Sequence, residues 1–300
     1  MGGSEDGKAM INSPAWGFSS QLIRGNWQIF WSLVVIGSVC LAALLSPWLT
    51  HYTFDQQNIE ALFASPNSEF WMGTDRLGRD LFSRLLYGAR VSLAVGVITA
   101  LVALFIGSVY GALSGYFGGW VDHLMMRVVD VIYSVPTLVV MILVKVVFDS
   151  VLSMRDPHWT HLIGTMLAIS LVSWVDLARL VRGQVLQTKE LLYVEAGRAL
   201  GVTITGLLKS HIFPNIVGPI LVMLTFRIPS NILFESVLSF IGLGLQPPYT
   251  SWGTLVAEGI DHLETYPHLI FFPGLALFIT MSAFQILGDG LRDYWDVKNS

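Results

Sequence analysis

Only a few residues in this 300-residue chain have types and spacing that could do chemistry. There is no His-Glu-x-x-His, no Gly-x-Ser-x-Gly and no cysteine pair. Cys40 stands alone in an apolar run, where a thiol serves as a small buried hydrophobe, so no disulfide framework exists. No Gly-x-x-x-x-Gly-Lys-Ser/Thr occurs, so the chain has no phosphate-cradling loop of its own. No catalytic residue is assigned and the chain is not read as an enzyme. His158 and His161 form a His-x-x-His, and Asp261, His262, Glu264 and His268 form a second ligand-rich group. Interfacial polarity explains the first and partner contact the second, and no metal site is assigned. What remains is charge where charge is expensive. Arg227 and Glu235 lie in or beside an apolar run, and an ionised side chain at a helix centre costs about 2.5–3.5 kcal/mol on insertion scales. Arg227 must therefore face protein or water. It is a candidate for a translocation path, with a structural ion pair between subunits as the alternative, and Glu235 is the second candidate. Asp130 and Asp176 are placed near span ends, in structural roles.

The elements that position these residues are membrane spans. The composition is 53% hydrophobic and only 13% charged, against about 25% charged in soluble domains. Ten Trp and nine Tyr suit interfacial belts. A net charge of −4 gives no reason to expect a nucleic-acid partner. A span needs about 20 mostly apolar residues, and six runs qualify: 29–49, 91–113, 128–148, 161–180, 214–234 and 269–287. Lys145 near the end of the third can snorkel to the interface. Pro136 in the third and Pro229 in the fifth are expected kinks. The N-terminal stretch lacks the basic, then apolar, pattern of a cleaved signal peptide.

Orientation follows Lys and Arg. Arg179, Arg182, Lys189, Arg198 and Lys209 cluster around one polar connection, whereas 238–268 has none and carries Glu258, Asp261 and Glu264. The first is expected in the cytoplasm, the second outside, and both termini inside. Arg76, Arg79, Arg84 and Arg90 in the first loop resist this scheme. With Asp75 and Asp80 interleaved, they are expected to form a partly paired amphipathic helix at the interface.

The polar connection, 188–213, is expected to be a helical hairpin. Leu192, Ala196, Ala199 and Leu200 share one face of a helix over 188–200. Gly201 stands where a left-handed residue would end that helix. Thr203 or Thr205 can cap a second helix whose apolar face is Ile204, Leu207 and Leu208, and Pro214 suits the first turn of the next span. Small residues at Ala196, Gly197 and Ala199 permit close approach, so the knob could enter a groove on a partner. The plainer alternative is a surface hairpin without a partner.

Glu195-Ala-Gly197, then Gly201, and later His211-Ile-Phe-Pro214 resemble the EAA loop of permease subunits of ABC importers. Gly197 departs from the usual Ala and Phe213 from the usual Leu, both keeping a small or apolar group. Further segments narrow the resemblance to the peptide/nickel group. They include Gly73-Thr-Asp-Arg-Leu-Gly-Arg-Asp80, Ser114-Gly-Tyr-Phe-Gly-Gly119, Trp174-Val-Asp-Leu-Ala-Arg179, Leu233-Phe-Glu-Ser236, Ser251-Trp-Gly253 and Gly288-Asp-Gly-Leu-Arg-Asp293. The similarity covers about 27–300 and is greatest to C-type subunits of oligopeptide and dipeptide permeases.

The resemblance implies an all-α integral membrane fold of ABC type I, with six transmembrane helices and a cytoplasmic coupling helix. The parts are a cytoplasmic segment 1–28, a first span 29–49, an extracytoplasmic loop 50–90 and a transmembrane domain 91–288 holding the coupling hairpin 188–213. A cytoplasmic tail 289–300 ends the chain. It implies ATPase coupling through Glu195, Ala196, Gly197, Ala199, Leu200, Gly201 and Pro214. Implied partners are a homologous second permease, two ATP-binding subunits, an extracytoplasmic peptide-binding protein and bilayer lipid of a bacterial inner membrane. ATP-Mg belongs to the partner subunits, and this chain is expected to bind no cofactor. The alternatives are a nickel, metal-chelate or antimicrobial-peptide importer of the same family, and an ion-coupled secondary transporter.

Overall fold

The computed structural model describes residues 27–152 and 157–299, with side chains over 27–151 and 160–295. Most of the N-terminal segment 1–28, the side chain of His158 and the last side chains of the tail lie outside the described residues. Among the described residues every regular element is helical. The main helices are α1 (Trp27–Leu44), α2 (Leu81–Phe117), α3 (Gly119–Ser134), α4 (Thr137–Leu152) and α5 (Pro157–Thr188). They continue as α6 (Leu192–Ala199), α7 (Phe213–Phe240), α8 (Trp252–Ile260) and α9 (His268–Asn299). Five helical stretches are long and apolar enough to cross a membrane, and six if the bent pair α3–α4 counts as one span.

The central pairing is α2 against α5. Gly107, Gly111 and Gly115 recur every fourth residue along α2, and a Cβ on any of them would strike α5. At Gly107 it would sit 2.8 Å from the Trp174 carbonyl oxygen, and at Gly115 2.8 Å from that of Arg182. This small-residue stripe lets two backbones meet without side chains between them. Around it Ala103, Ala112, Leu177, Ala178, Val181 and Val185 form a buried cluster with Val194, Leu207 and Ile212 of the polar connection.

The spans differ from their expected limits because polar ends continue as helix. α2 begins at Leu81, ten residues before the expected 91, because Asp80 caps it by accepting from the Ser83 amide at 2.8 Å. It ends at Gly118, whose φ is +63°. α5 runs on to Thr188 and α9 to Asn299, so the expected tail continues the last span.

The expected third span, 128–148, falls in α3 and α4 and is bent at Pro136, where a kink is expected. Val135 is extended (φ −94°, ψ 136°), the conformation favoured before a proline, and α3 and α4 meet at 88°. Each half has 16 residues, about 24 Å of helix, which is short of a bilayer's hydrocarbon thickness. By contrast α7 stays helical through both Pro219 and Pro229.

The first loop is a correction. Residues 76–80 are not helical; the chain turns at Gly73 and Gly78, with one bridge between Thr74 and Asp80, and only then enters α2, which holds Arg84 and Arg90. Arg79 and Arg84 are buried rather than interfacial. Asp75 gathers them, with Arg79 Nε at 2.7 Å and Arg84 Nη1 at 2.6 Å from Oδ2. Glu258 on α8 completes the cluster, 2.6 Å from Arg84 Nη1. Arg90 instead donates to the Ala43 and Leu44 carbonyls at the end of α1. Three of the four arginines that opposed the orientation rule are thus spoken for within the fold. Helix α8, inside what the sequence suggested was a loop, starts on a capping box of Ser251 with Thr254. Lys145 does not snorkel: it is fully buried, with Asp149 Oδ2 at 2.7 Å and the His161 carbonyl at 2.9 Å.

Candidate functional site

The polar connection is a compact hairpin hanging between α5 and α7. Its first helix, α6, is shorter than the expected 188–200, because α5 takes the residues up to Thr188. Gly201 ends it in the left-handed region (φ +80°). The Gly201 amide donates to the Arg198 carbonyl at 3.0 Å, and the Val202 amide to the Gly197 carbonyl at 3.1 Å. This is the Schellman pairing, which satisfies carbonyls that a helix end would otherwise leave free. Thr203 caps the next turn by accepting from the Gly206 amide at 3.3 Å. Ile204–Leu207 is α-helical and Leu208–Ile212 widens into a π turn that leads directly into α7. The Phe213 amide reaches back to the Leu208 carbonyl, just before Pro214, which has no amide to donate. Pro214 is the second residue of α7, in its first turn as expected, and the π turn runs into it without a break.

The hairpin has two faces. Val194 and Gly197 point inward, and a Cβ on Gly197 would lie 3.1 Å from Leu207 Cδ2. Leu192 and Leu200 point outward, at 84% and 85% exposure, with Glu195, Ala196, Ala199, Gly201 and Pro214 also exposed. The face expected to be apolar is thus the outer one, and Gly197 lies on the other side, packed within the chain. Lys189 Nζ holds the Gly115 carbonyl at 2.8 Å, tying the knob to the end of α2. The Arg198 guanidinium lies 5.8 Å from the centre of the Tyr116 ring. On the far side Asn215 Nδ2 donates to Tyr193 Oη at 2.8 Å and to the His211 carbonyl at 2.6 Å. Two exposed leucines on so braced a knob each forgo about 1.5–3 kcal/mol of burial.

Above the hairpin, polar links cross-brace its flanking helices. Arg182 grips Asp122 through Nε at 2.5 Å and Nη2 at 2.6 Å, and Arg179 reaches Asp130 at 2.8 Å. Ser173 donates to Asn231, and Asn231 to Thr99, joining α5, α7 and α2. Arg227 pairs with Asp176 through Nη2 at 2.6 Å, so its partner lies in this chain and not across a subunit boundary. Asp176 is well inside α5, which runs on to Thr188, and not near its end.

Glu235 is buried. Ser239 Oγ and Ser251 Oγ donate to its Oε1 at 2.7 and 2.6 Å, and Ser92 Oγ lies 3.5 Å from Oε2. It fastens α2, α7 and the start of α8. Of the ligand-rich group, His262 packs edge-on against Phe63. Among the described residues no three His, Cys, Asp or Glu side chains converge on a metal position.

The glycine stripe on α2, the α8 cap and Asn231 escaped the sequence reading. Gly-x-x-x-Gly-x-x-x-Gly and Ser-x-x-Thr were visible signals for the first two. Asn231 had none, because its two partners come from distant helices.

A family model described as "Binding-protein-dependent transport system inner membrane component" matches residues 107–298. The chain belongs to this family. The permease is 39% identical over 275 residues to the oligopeptide transport system permease protein OppC of Bacillus subtilis (strain 168), covering 92% of this chain and 87% of that protein. It is 39% identical over 268 residues to the dipeptide transport system permease protein DppC of the same organism, covering 89% and 80%. Its fold resembles a chain of the inward-facing MetNI methionine ABC transporter, with a TM-score of 0.57 at 15% identity, over 70% of this chain and 95% of that one. The permease thus has the all-helical fold of ABC importer membrane subunits and is a multi-pass inner-membrane protein.

Proposed function

We propose that this permease translocates peptides, oligopeptides first and dipeptides next, as one membrane subunit of an ATP-driven importer. The exposed leucine face of the hairpin is the observation that carries the reading. The chain has no phosphate loop, so ATP-Mg is bound and hydrolysed on two separate subunits, and this chain holds no cofactor. Leu192, Ala196, Ala199 and Leu200 dock into those subunits, while Glu195 and Arg198 supply the polar rim. Gly197 and Gly201 act by shaping the knob. A homologous second permease forms the other wall of the route, and an extracytoplasmic binding protein delivers the peptide on the side of α8. Both termini are cytoplasmic. Names of relatives that include oligopeptide and dipeptide permeases support the cargo.

The mechanism is alternating access. Closure of the ATP-binding subunits displaces the hairpin. The Schellman turn and the Lys189 and Asn215 bonds make the knob stiff, so displacement passes into α5 and α7 together. The Ser173–Asn231–Thr99 chain carries it on to α2. The test is uptake of a labelled peptide by the complete complex in proteoliposomes. ATP-dependent accumulation is expected, with none when the ATP-binding subunits are omitted. Accumulation driven by a proton gradient without those subunits would sink the proposal.

A further inference from the structure

The elbow between α3 and α4 encloses a cleft that the hairpin mechanism leaves unused. Tyr133 on α3 and Thr137 and Met141 on α4 line it from one side. Asp176 on α5 and Arg227 and Phe234 on α7 line it from the other. The elbow exists because Pro136 breaks the helix, so four helices, α3, α4, α5 and α7, meet around one arginine.

Arg227 is poorly matched for a purely structural cation. A guanidinium offers five N–H donors in a planar fork and pairs best side-on with both oxygens of a carboxylate. Here one nitrogen meets one oxygen, Nη2 to Asp176 Oδ2 at 2.6 Å. Nε is buried without a partner, although the whole side chain is only 12% exposed. Asp176 is 36% exposed, so solvent can take it over if the pair opens. Arg84 also leaves Nε unpartnered, but it meets two carboxylates and borders a cavity of only about 10 Å³. That is at the lower limit for a single water. The cleft beside Arg227 is about 50 Å³, room for one carboxylate group but not for a peptide.

We propose that this cleft is a carboxylate subsite on the peptide's route, in which Arg227 exchanges Asp176 for a carboxylate of the passing peptide. The inference rests on the peptide reading above. Every peptide with a free C-terminus carries this group whatever its sequence, so such a subsite is compatible with varied cargo. Tyr133 and Thr137 add polar side chains to the lining, and Met141 and Phe234 give the adjoining chain an apolar wall. The released Asp176 faces water at the half-exposed edge and can receive a cationic group of the same peptide.

The experiment compares uptake of one peptide with a free C-terminus and the same peptide C-terminally amidated, both saturating the binding protein. It is run on the complete reconstituted complex with native and Arg227→Gln permease. The binding protein is common to both, so its own preference cancels in the ratio of ratios. Arg227→Gln is expected to lower the free-to-amidated ratio about tenfold, the size of one charge-assisted hydrogen bond, while amidated uptake persists. Asp176→Asn leaves Arg227 without its internal carboxylate and is expected to raise the ratio. Equal loss of both peptides with Arg227→Gln, or an unchanged ratio in either variant, overturns the subsite. Restoration of native rate and ratio by the double variant would also overturn it, since Arg227 would then serve only Asp176. If the native complex moves neither peptide, the peptide reading itself fails, and the subsite with it.

Discussion

The hairpin and a second lobe, made by residues 50–80, the start of α2 and α8 and called the outer lobe for its proposed position, are both polar segments between spans, yet they solve opposite problems. The outer lobe turns its charges inward. Asp75 takes hydrogen bonds from the amides of Leu77 and Arg79 and from two arginine side chains, and Glu258 closes the cluster from α8. The hairpin turns leucines outward and meets its polar needs locally, through a Schellman turn, a threonine cap and two side-chain bonds. A buried charge cluster whose carboxylates and arginines pair with one another is held within the chain, whereas an exposed apolar face leaves its burial free energy unrealised. On the proposed reading the two segments differ in whether their free energy minimum lies within this chain or in a complex.

Four variants test that contrast. Arg84→Leu should have the largest effect, because it leaves the two carboxylates of Asp75 and Glu258 with Arg79 as their one remaining arginine in the cluster; a loss of about 3–5 kcal/mol is expected. A thermal unfolding series on the purified permease would read it, and a change below 1 kcal/mol would mean the outer lobe is not self-stabilised. Gly201→Val should cost about 1–2 kcal/mol, since a β-branched residue is strained at positive φ. Membrane insertion should survive while ATP hydrolysis by the complex loses its link to uptake, and intact coupling would count against the hairpin as the docking element. Asp80→Ala removes the cap of α2 and should cost about 1 kcal/mol of stability without touching coupling. The smallest stability change, within about 0.5 kcal/mol, is expected for Leu192→Asp combined with Leu200→Asp. That double variant should nonetheless fail to co-purify with ATP-binding subunits. If it unfolds the chain as Arg84→Leu does, the leucine face is core and the contrast collapses.

The turn chemistry of the hairpin was legible because it is local. Gly201 and Thr203 act on residues within three or four positions, and the structure has both in those roles. Periodicity also showed that Leu192, Ala196, Ala199 and Leu200 share a face, but not that the face is outward. That depended on Leu207 packing under Gly197, a contact across the turn. The arginines of the first loop were misread for the same reason. Helical spacing is a statement about neighbours in sequence, and Arg84's decisive partner, Glu258, is 174 residues away. Arg227 likewise showed its cost in the sequence but not its partner, Asp176, 51 residues distant.

Sequence alone therefore determined that the chain is a helical membrane protein without a phosphate loop, and that a capped hairpin interrupts its spans. Hydrophobic run length, missing motif residues and helix-ending glycine are properties of short segments, and short segments are what a sequence displays. Only the tertiary structure decided the 88° elbow, the completed outer charge cluster, the outward leucine face and the half-paired arginine beside a cleft. Each depends on which distant helix packs where. That packing is set by close approaches such as the glycine stripe of α2 on α5 and by the need to pair every charge the membrane would otherwise penalise.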